Sequence, residues 1–436
     1  MGFSFRLGAV TGGLRKKKKK MRSKDDELDR PRKRRRVMVR PDANNSCGFE
    51  NLTEDLLMEI LVKLSAKEVT RSMCVSQLWY NVISSRYFTN LFLESPSSSK
   101  PPRLLLSLVD HEDQRKYAFL STSSSSSSPR HDQSASVLDQ YLDMPGLRGY
   151  FVNALRGLLC VRLGRKLRIC NLTTKQRVTL PIITSTLLAE PNDNNIWSFF
   201  GHESVYDEYK VLSIVWDVSK EDGTVRCEHQ VLVLGPGASW RSPYTTSTIP
   251  PHRPFSQGIS INGVLYYGAW TDANRCVVVS FNLISEEFSL IELPVEAGIV
   301  WHTYRSNIVN YQGKLAVFDY SQHEANATVD LWVMEDEGKM NWSNKTLVFP
   351  LSNINFVQGE SLGILGTGHC REIRLAKTNL LSFQPRPFVI DDLNRNQITR
   401  SFEISRPPYL CFLGIKKGFQ SNFWEDDIES ILYLET

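Results

Sequence analysis

From about residue 103 onward the chain is written in short strand-like runs divided by turn residues, with no helix-length periodic segment between them. The runs include 104–109, 158–162, 167–171, 210–218, 230–234, 264–267, 277–282, 288–293, 315–318 and 329–333. Parallel neighbouring strands need a long crossover, usually a helix. A parallel α/β sheet is therefore disfavoured, and an antiparallel all-β domain is expected over 103–436. The runs also repeat. Gly157-Leu158-Leu159, Gly263-Val264-Leu265 and Gly313-Lys314-Leu315 each open a strand. A second strand, a polar turn, a third strand and a proline follow each time: Pro181, Pro294 and Pro350. Asn171-Leu172-x-Thr174-Lys175 echoes Asn282-Leu283-x-Ser285-Glu286. The step from Gly263 to Gly313 matches the period of about 50 residues of a kelch-type propeller blade. A propeller-like domain is the reading this supports. A β-sandwich is the alternative, because short alternating strands fit it as well.

Residues 49–93 differ sharply. Twenty-four of these forty-five residues are apolar, against 41% for the whole chain. Leu52, Leu56, Leu57, Ile60, Leu61 and Leu64 recur at the three- and four-residue intervals of a helix. Thr53 is placed to cap this helix, Ser65-Ala66-Lys67-Glu68 reads as a capping box opening a second, and Ser76 caps a third carrying Leu78, Trp79, Val82 and Ile83. Asp55, Glu59 and Lys63 form the first helix's only polar stripe. So small a unit sits near the lower size limit for independent folding, yet this helix carries more apolar surface than one small core can cover. Surplus apolar surface marks an interface, either with a foreign protein or with the β half of the chain itself.

Residues 1–46 are polar and charged, too poor in large apolar groups to order themselves. The first forty residues hold sixteen Lys+Arg and four Asp+Glu, whereas the remainder is mildly acidic. Two basic clusters stand out: Arg15, Lys16, Lys17, Lys18, Lys19 and Lys20, then Arg32, Lys33, Arg34, Arg35 and Arg36. Their separation resembles a bipartite nuclear localisation signal, and a nuclear location is expected, with the cytoplasm as a second compartment. A nucleic-acid partner is disfavoured because the body offers no basic patch. No apolar run is long enough to cross a membrane as a helix, and no signal-peptide pattern opens the chain. The eight cysteines form no C-x-x-C pair, and most read as small buried hydrophobes.

The segment Phe49-Glu50-Asn51-Leu52-Thr53-Glu54-Asp55-Leu56-Leu57-Met58-Glu59-Ile60-Leu61-Val62-Lys63-Leu64 resembles the first helix of an F-box. Ser65-Ala66-Lys67-Glu68-Val69, Arg71, Cys74-Val75-Ser76 and Trp79 resemble the rest of that motif. The family often has proline where Thr53 and Ser65 stand; both replacements are good caps, so the helix starts survive. The lines Gln257-Gly258-Ile259-Ser260-Ile261-Asn262-Gly263-Val264-Leu265-Tyr266-Tyr267, Trp301-His302-Thr303-Tyr304 and Leu331-Trp332-Val333-Met334-Glu335-Asp336 are similar to a plant F-box-associated domain. The resemblance implies a propeller-like, partner-binding second half. It also implies that the F-box docks on a Skp-type adaptor, which tethers it to a cullin–RING ubiquitin ligase.

Catalytic chemistry is not legible. The eight histidines contain no H-E-x-x-H, His369 and Cys370 point to opposite faces if they lie in a strand, and the glycine order of 363–368 is wrong for a phosphate loop. No catalytic residue, cofactor or metal ligand is assigned. Trp332 and Trp342, at equivalent repeat positions, read as blade packing. Trp270, in the turn region 268–275, is the aromatic singled out for target contact.

The expectation is an α+β multidomain chain: a disordered basic tail (1–46), a small all-α F-box (47–93), a linker (94–102) and an all-β antiparallel β-propeller-like domain (103–436). Its expected work is substrate recognition for a Skp–cullin–F-box ubiquitin ligase, without catalysis, toward a protein target the sequence does not name. Adaptor contact is assigned to Leu52, Leu56, Ile60, Leu61, Leu64, Val69, Val75 and Trp79, some of which must serve the core, since one helix feeds both surfaces. The alternatives are a nuclear nucleic-acid or scaffold binder using the basic tail, and a β-propeller enzyme acting on a small molecule.

Overall fold

A computed structural model of the chain describes residues 52–95, 149–188, 195–244, 249–271, 275–294, 297, 306–319, 328–338, 340–348, 430–432 and 434, and gives the strand path at 104–110, 117–122, 136–141, 362–367, 372–377, 388–392, 397–404 and 419–426. The basic clusters and Trp301–Tyr304 lie outside the described residues. Contacts divide the chain into Met1–Leu52 and a second unit, Thr53–Thr436.

Four short helices open the second unit: α1 (Glu54–Leu61), α2 (Ala66–Ser72), α3 (Gln77–Ser84) and α4 (Arg86–Glu94). Every one starts at a hydroxyl cap. Thr53 Oγ1 accepts from Leu56 N–H, Ser65 forms a two-way capping box with Glu68, and Ser76 and Ser85 accept from Trp79 and Phe88. A hydroxyl at each start satisfies an otherwise orphaned N–H, worth about 1 kcal/mol. The fourth helix was not expected from the sequence. Ser72 turns its hydroxyl back to Glu68 O at 2.9 Å.

The rest is β. Along the chain come β1 (Leu104–Asp110), β2 (Tyr117–Thr122), β3 (Ser136–Tyr141), β4 (Tyr150–Leu155), β5 (Leu158–Leu163), β6 (Lys166–Asn171) and β7 (Arg177–Thr179). Then follow β8 (Ile196–Glu203), β9 (Glu208–Val218), β10 (Val225–Val233), β11 (His252–Pro254), β12 (Ile259–Ile261), β13 (Val264–Thr271), β14 (Cys276–Asn282) and β15 (Phe288–Glu292). The last are β16 (Ser306–Tyr311), β17 (Lys314–Asp319), β18 (Thr328–Asp336), β19 (Asn341–Val348), β20 (Leu362–Thr367), β21 (Glu372–Lys377), β22 (Phe388–Asp392), β23 (Gln397–Ile404) and β24 (Phe419–Asp426). Strands β4–β7, β8–β10, β11–β15 and β16–β19 form four separate antiparallel sheets. A fifth runs β20-β21-β22-β23-β3-β2-β1-β24, in which β23 and β3 pair in parallel. The antiparallel β1–β24 pair joins the two ends of the β domain. Four small sheets and one of eight strands thus make a propeller-like succession, not the two facing sheets of a sandwich.

The cores lie between consecutive sheets, and the two-residue period of a strand decides which core each residue enters. On β8, Phe200 enters the core shared with β4–β7 while Phe199 enters the core shared with β11–β15. On β9, Val211 and Val215 face one way, and Leu212 and Ile214 the other. On β13, Tyr267 faces β8–β10 while Tyr266 faces β16–β19. Central strands are thus apolar on both faces, which explains why they read as continuous apolar runs. The approach is close: a Cβ on Gly201 would lie 2.7 Å from Leu283 Cδ1 and 2.9 Å from Leu265 Cδ2.

The repeated motifs are repeated turns. Arg156-Gly157, Asn262-Gly263 and Gln312-Gly313 all have both residues at positive φ, the requirement of a two-residue type I′ hairpin. In the second motif, Asn171 Oδ1 accepts from Thr173 and Thr174 N–H, and Asn282 Oδ1 accepts in the same way from Ile284 and Ser285. Leu172 and Leu283, next in line, are buried. The glycine-rich stretch near 363 is strand β20 with a bulge between Ile364 and Gly366.

Asn171 differs from Asn282 in one respect. It is fully buried, and its Nδ2 donates to both Ser430 O and Leu432 O at 3.0 Å. Thr173 and Gln176 bind the same C-terminal segment, at Ser430 N and Leu434 N. Asn171→Ala would leave the buried bond to Ser430 O and the part-buried bonds to Leu432 O and to Thr173 and Thr174 N–H unmade, with a cost of about 1–3 kcal/mol for a buried group left unpaired, whereas Asn282→Ala removes only a turn, costing about 1 kcal/mol. Urea unfolding should therefore show Asn171→Ala as clearly the more destabilising of the two; equal midpoints would mean that the C-terminal segment is not held as described.

Candidate functional site

The helical unit buries Leu57, Leu61, Ala66, Val69, Val82, Ile83 and Phe88 in one core. Its remaining member, Ile431, comes from the C-terminal segment that Asn171 holds. The core of the helices is thus completed by the β half. That closure still leaves apolar groups in water: Leu56 is 46% exposed, Ile60 42%, Val75 60%, Leu78 40% and Tyr80 44%. Leu56 and Ile60 stand four residues apart on one face of α1, and Leu57 and Leu61 turn inward from the next. Of the eight positions assigned to adaptor contact, Leu56, Ile60 and Val75 are exposed, and Leu52, Leu64 and Trp79 are half-buried. Leu61 and Val69 have no exposure at all and belong to the core. Leu78 and Tyr80, also exposed, flank Trp79 on α3, and periodicity alone does not say which of three consecutive large groups faces out.

A polar cluster seats the helices on the β domain. Asn90 of α4 donates to Asp207 Oδ2 at 2.9 Å and accepts from Arg156 Nη2 at 2.8 Å. Arg86 reaches Asp207 O, Arg156 Nε donates to Tyr209 Oη, and His202 Nε2 lies 2.7 Å from Asp207 Oδ1. Arg156 and Asp207 both sit at positive φ in hairpin turns, which aims two β-turn tips at one helix. The Asp207 turn is anchored by the buried carboxylate of Glu203, which accepts from Val205, Tyr206 and Glu208 N–H. Burial pushes the His202 pKa down against the opposing pull of Asp207, so its ring is neutral near pH 7. Burial raises Asp207, but hydrogen bonds from His202 and Asn90 outweigh it and hold the carboxyl below its usual value.

A second charged cluster bridges two sheets. The fully buried Glu286 takes a two-pronged contact from Arg241 at 2.6 and 2.7 Å and a third bond from Tyr244 N. Lys210 Nζ lies 3.4 Å from Glu286 Oε1 and donates to Leu283 O at 2.7 Å. These groups satisfy one another, the pattern of a structural ion pair and not of converging catalytic groups. Trp270 packs against Phe255 at the edge of the core between β11–β15 and β16–β19, and Trp332 and Trp342 pack against the same core.

One group of potential metal ligands is present among the described residues: Cys227, His229 and His252, whose donor atoms lie within 4.8 Å of one another. The sequence reading found none, because a metal signature was sought within one segment and these come from two strands. The available signal was Cys-x-His, which places both side chains on one face of β10.

A helical unit of this size with exposed leucines, seated on a succession of antiparallel sheets, defines a two-part binding protein. Comparison with known proteins agrees. Residues 49–91 match the F-box domain, and residues 103–413 match the F-box associated beta propeller domain. An F-box protein of Arabidopsis thaliana, At3g52320, is 49% identical over 363 residues, covering 82% of this chain and 88% of its own. The Arabidopsis thaliana F-box/kelch-repeat protein At4g19930 is 35% identical over 458 residues, covering both chains in full. The chain belongs to the family of F-box proteins with an F-box-associated β-propeller domain.

The polar seat should be measurable. Asn90→Ala and Asp207→Ala should each destabilise the chain by about 1–2 kcal/mol, and the double variant should cost less than the sum, since both remove one shared contact. The unfolded chain protonates His202 near the ordinary 6.5, while the folded chain resists until lower pH. His202 therefore contributes full stability above about 6.5 and loses it as pH falls toward its folded pKa. Thermal midpoints recorded from pH 7.5 to 5.5 should decline less steeply in His202→Gln.

Proposed function

We propose that this chain is the substrate-recognition subunit of a Skp–cullin–F-box ubiquitin ligase. The observation that carries the reading is that the helical core is complete while Leu56, Ile60 and Val75 remain in water. Exposed apolar groups on a finished core are what a partner's apolar groove would cover. A Skp-type adaptor is that partner and links the chain to a cullin. The β domain holds the target protein. No bond chemistry is required of this chain: holding a target close to the ubiquitin-carrying enzyme raises the local concentration of its lysines toward the millimolar range. The polar seat of α4 supports this role, because a fixed helical unit keeps that distance short and reproducible. The basic clusters at 15–20 and 32–36 are read as the import signal that brings the complex to the nucleus.

Leu56→Asp and Ile60→Asp should abolish capture of a Skp-type adaptor while changing stability by no more than about 0.5 kcal/mol, as expected of surface positions. Adaptor capture that survives both changes would remove the assignment of this face. A fluorescent reporter fused to residues 1–46 should accumulate in the nucleus and lose that location when 15–20 and 32–36 are changed to alanine; a cytoplasmic reporter would remove the import reading.

A further inference from the structure

We propose that Cys227, His229 and His252 form a zinc site that clips two adjacent propeller sheets together. Cys227 and His229 lie two residues apart on β10, and His252 is on β11 of the next sheet. The Cys227 Sγ to His229 Nε2 distance is 3.8 Å. Zinc–sulfur and zinc–nitrogen bonds of about 2.3 and 2.0 Å at a tetrahedral centre separate their ligand atoms by roughly 3.5–3.8 Å. This pair therefore needs little movement to share one ion.

His252 is prepared in the manner of a ligand. It is fully buried, and its Nδ1–H donates to Pro250 O at 3.1 Å. Metal-bound histidines almost always give their second ring N–H to a carbonyl or carboxylate, which fixes the tautomer and leaves the other nitrogen's lone pair for the ion. That lone pair is on Nε2, which now accepts from Tyr267 Oη at 2.9 Å. Zinc takes over this lone pair. The remaining surroundings are the apolar core between the two sheets, with Phe288 against the His229 ring. Dry walls of this kind strengthen metal–ligand electrostatics.

The donor set selects the metal class. One thiolate and two imidazoles suit zinc and copper, and are foreign to magnesium and calcium, which require oxygen. Binding replaces the S–H bond of Cys227 with an S–Zn bond and releases one proton to solvent, and both imidazoles bind in their neutral form. No oxidation or reduction is involved. The consequence is mechanical: the ion ties β10 to β11, adding a link between two sheets that the Glu286 cluster already bridges elsewhere. The inference does not depend on the ligase reading.

The test uses the full-length chain. After incubation with zinc and desalting, the wild-type chain should retain one zinc, and Cys227→Ser and His252→Gln should retain at least tenfold less, while Cys74→Ser, an exposed cysteine of the helical unit, should match wild type. Cobalt(II) in place of zinc should give a thiolate-to-cobalt charge-transfer band in wild type that Cys227→Ser lacks. A third measurement needs no variant. Alkylation of Cys227, followed by mass spectrometry, should slow at least tenfold on adding zinc, and alkylation of Cys74 should not. A folded wild-type chain that retains no stoichiometric zinc, a Cys227→Ser chain that keeps it, or a Cys227 alkylation rate indifferent to zinc would each overturn the site.

Discussion

Asn171 uses its four side-chain hydrogen bonds to tie a local turn to a distant part of the chain. Its oxygen shapes the turn after β6, and its nitrogen grips Ser430 and Leu432. A buried amide satisfied in full is stable; the same amide missing a partner costs free energy. The C-terminal segment must therefore lie where it does. From there Leu434 enters the core between the β4–β7 and β8–β10 sheets, and Ile431 enters the core of the helices. The pairing of β24 with β1 brings the chain end back to the start of the β domain. The entry of Leu434 and Ile431 into these two cores thus depends on the same few residues.

The apolar first helix is divided between two environments. One face is covered by the rest of the chain, and another stays in water. Leu57 and Leu61 are sealed, with Ile431 as part of the seal, while Leu56 and Ile60 stay in water. The polar seat of Asn90, Arg156, Asp207 and His202 makes the contact specific as well as apolar, because directional bonds fix an orientation that apolar contact alone leaves free.

Local features were the legible ones. The caps at Thr53, Ser65 and Ser76, the x-Gly hairpins at Gly157, Gly263 and Gly313, and the paired Asn turns were all readable, since each is closed by bonds a few residues apart. The strand runs were readable because burial on both faces makes them continuously apolar. Other features had no local trace. The parallel β3–β23 pair joins segments from opposite ends of the domain. Exposure at Val75 and burial at Val69 follow from which neighbours arrive, not from residue type. The buried ion pair of Glu286 with Arg241 required a turn in one sheet to meet a loop from another.

By itself, then, the sequence determined the kind of chain this is: a short helical F-box and a long antiparallel β domain with repeating turns, each set by periodicity, capping and turn chemistry over a few residues. Only the tertiary structure decided which leucines face solvent, what completes the helical core, and that Cys227, His229 and His252 share one space. The reason is physical. Burial and ligand geometry are properties of groups brought together across long stretches of chain, and side-chain identity along the sequence carries no record of the distance between them.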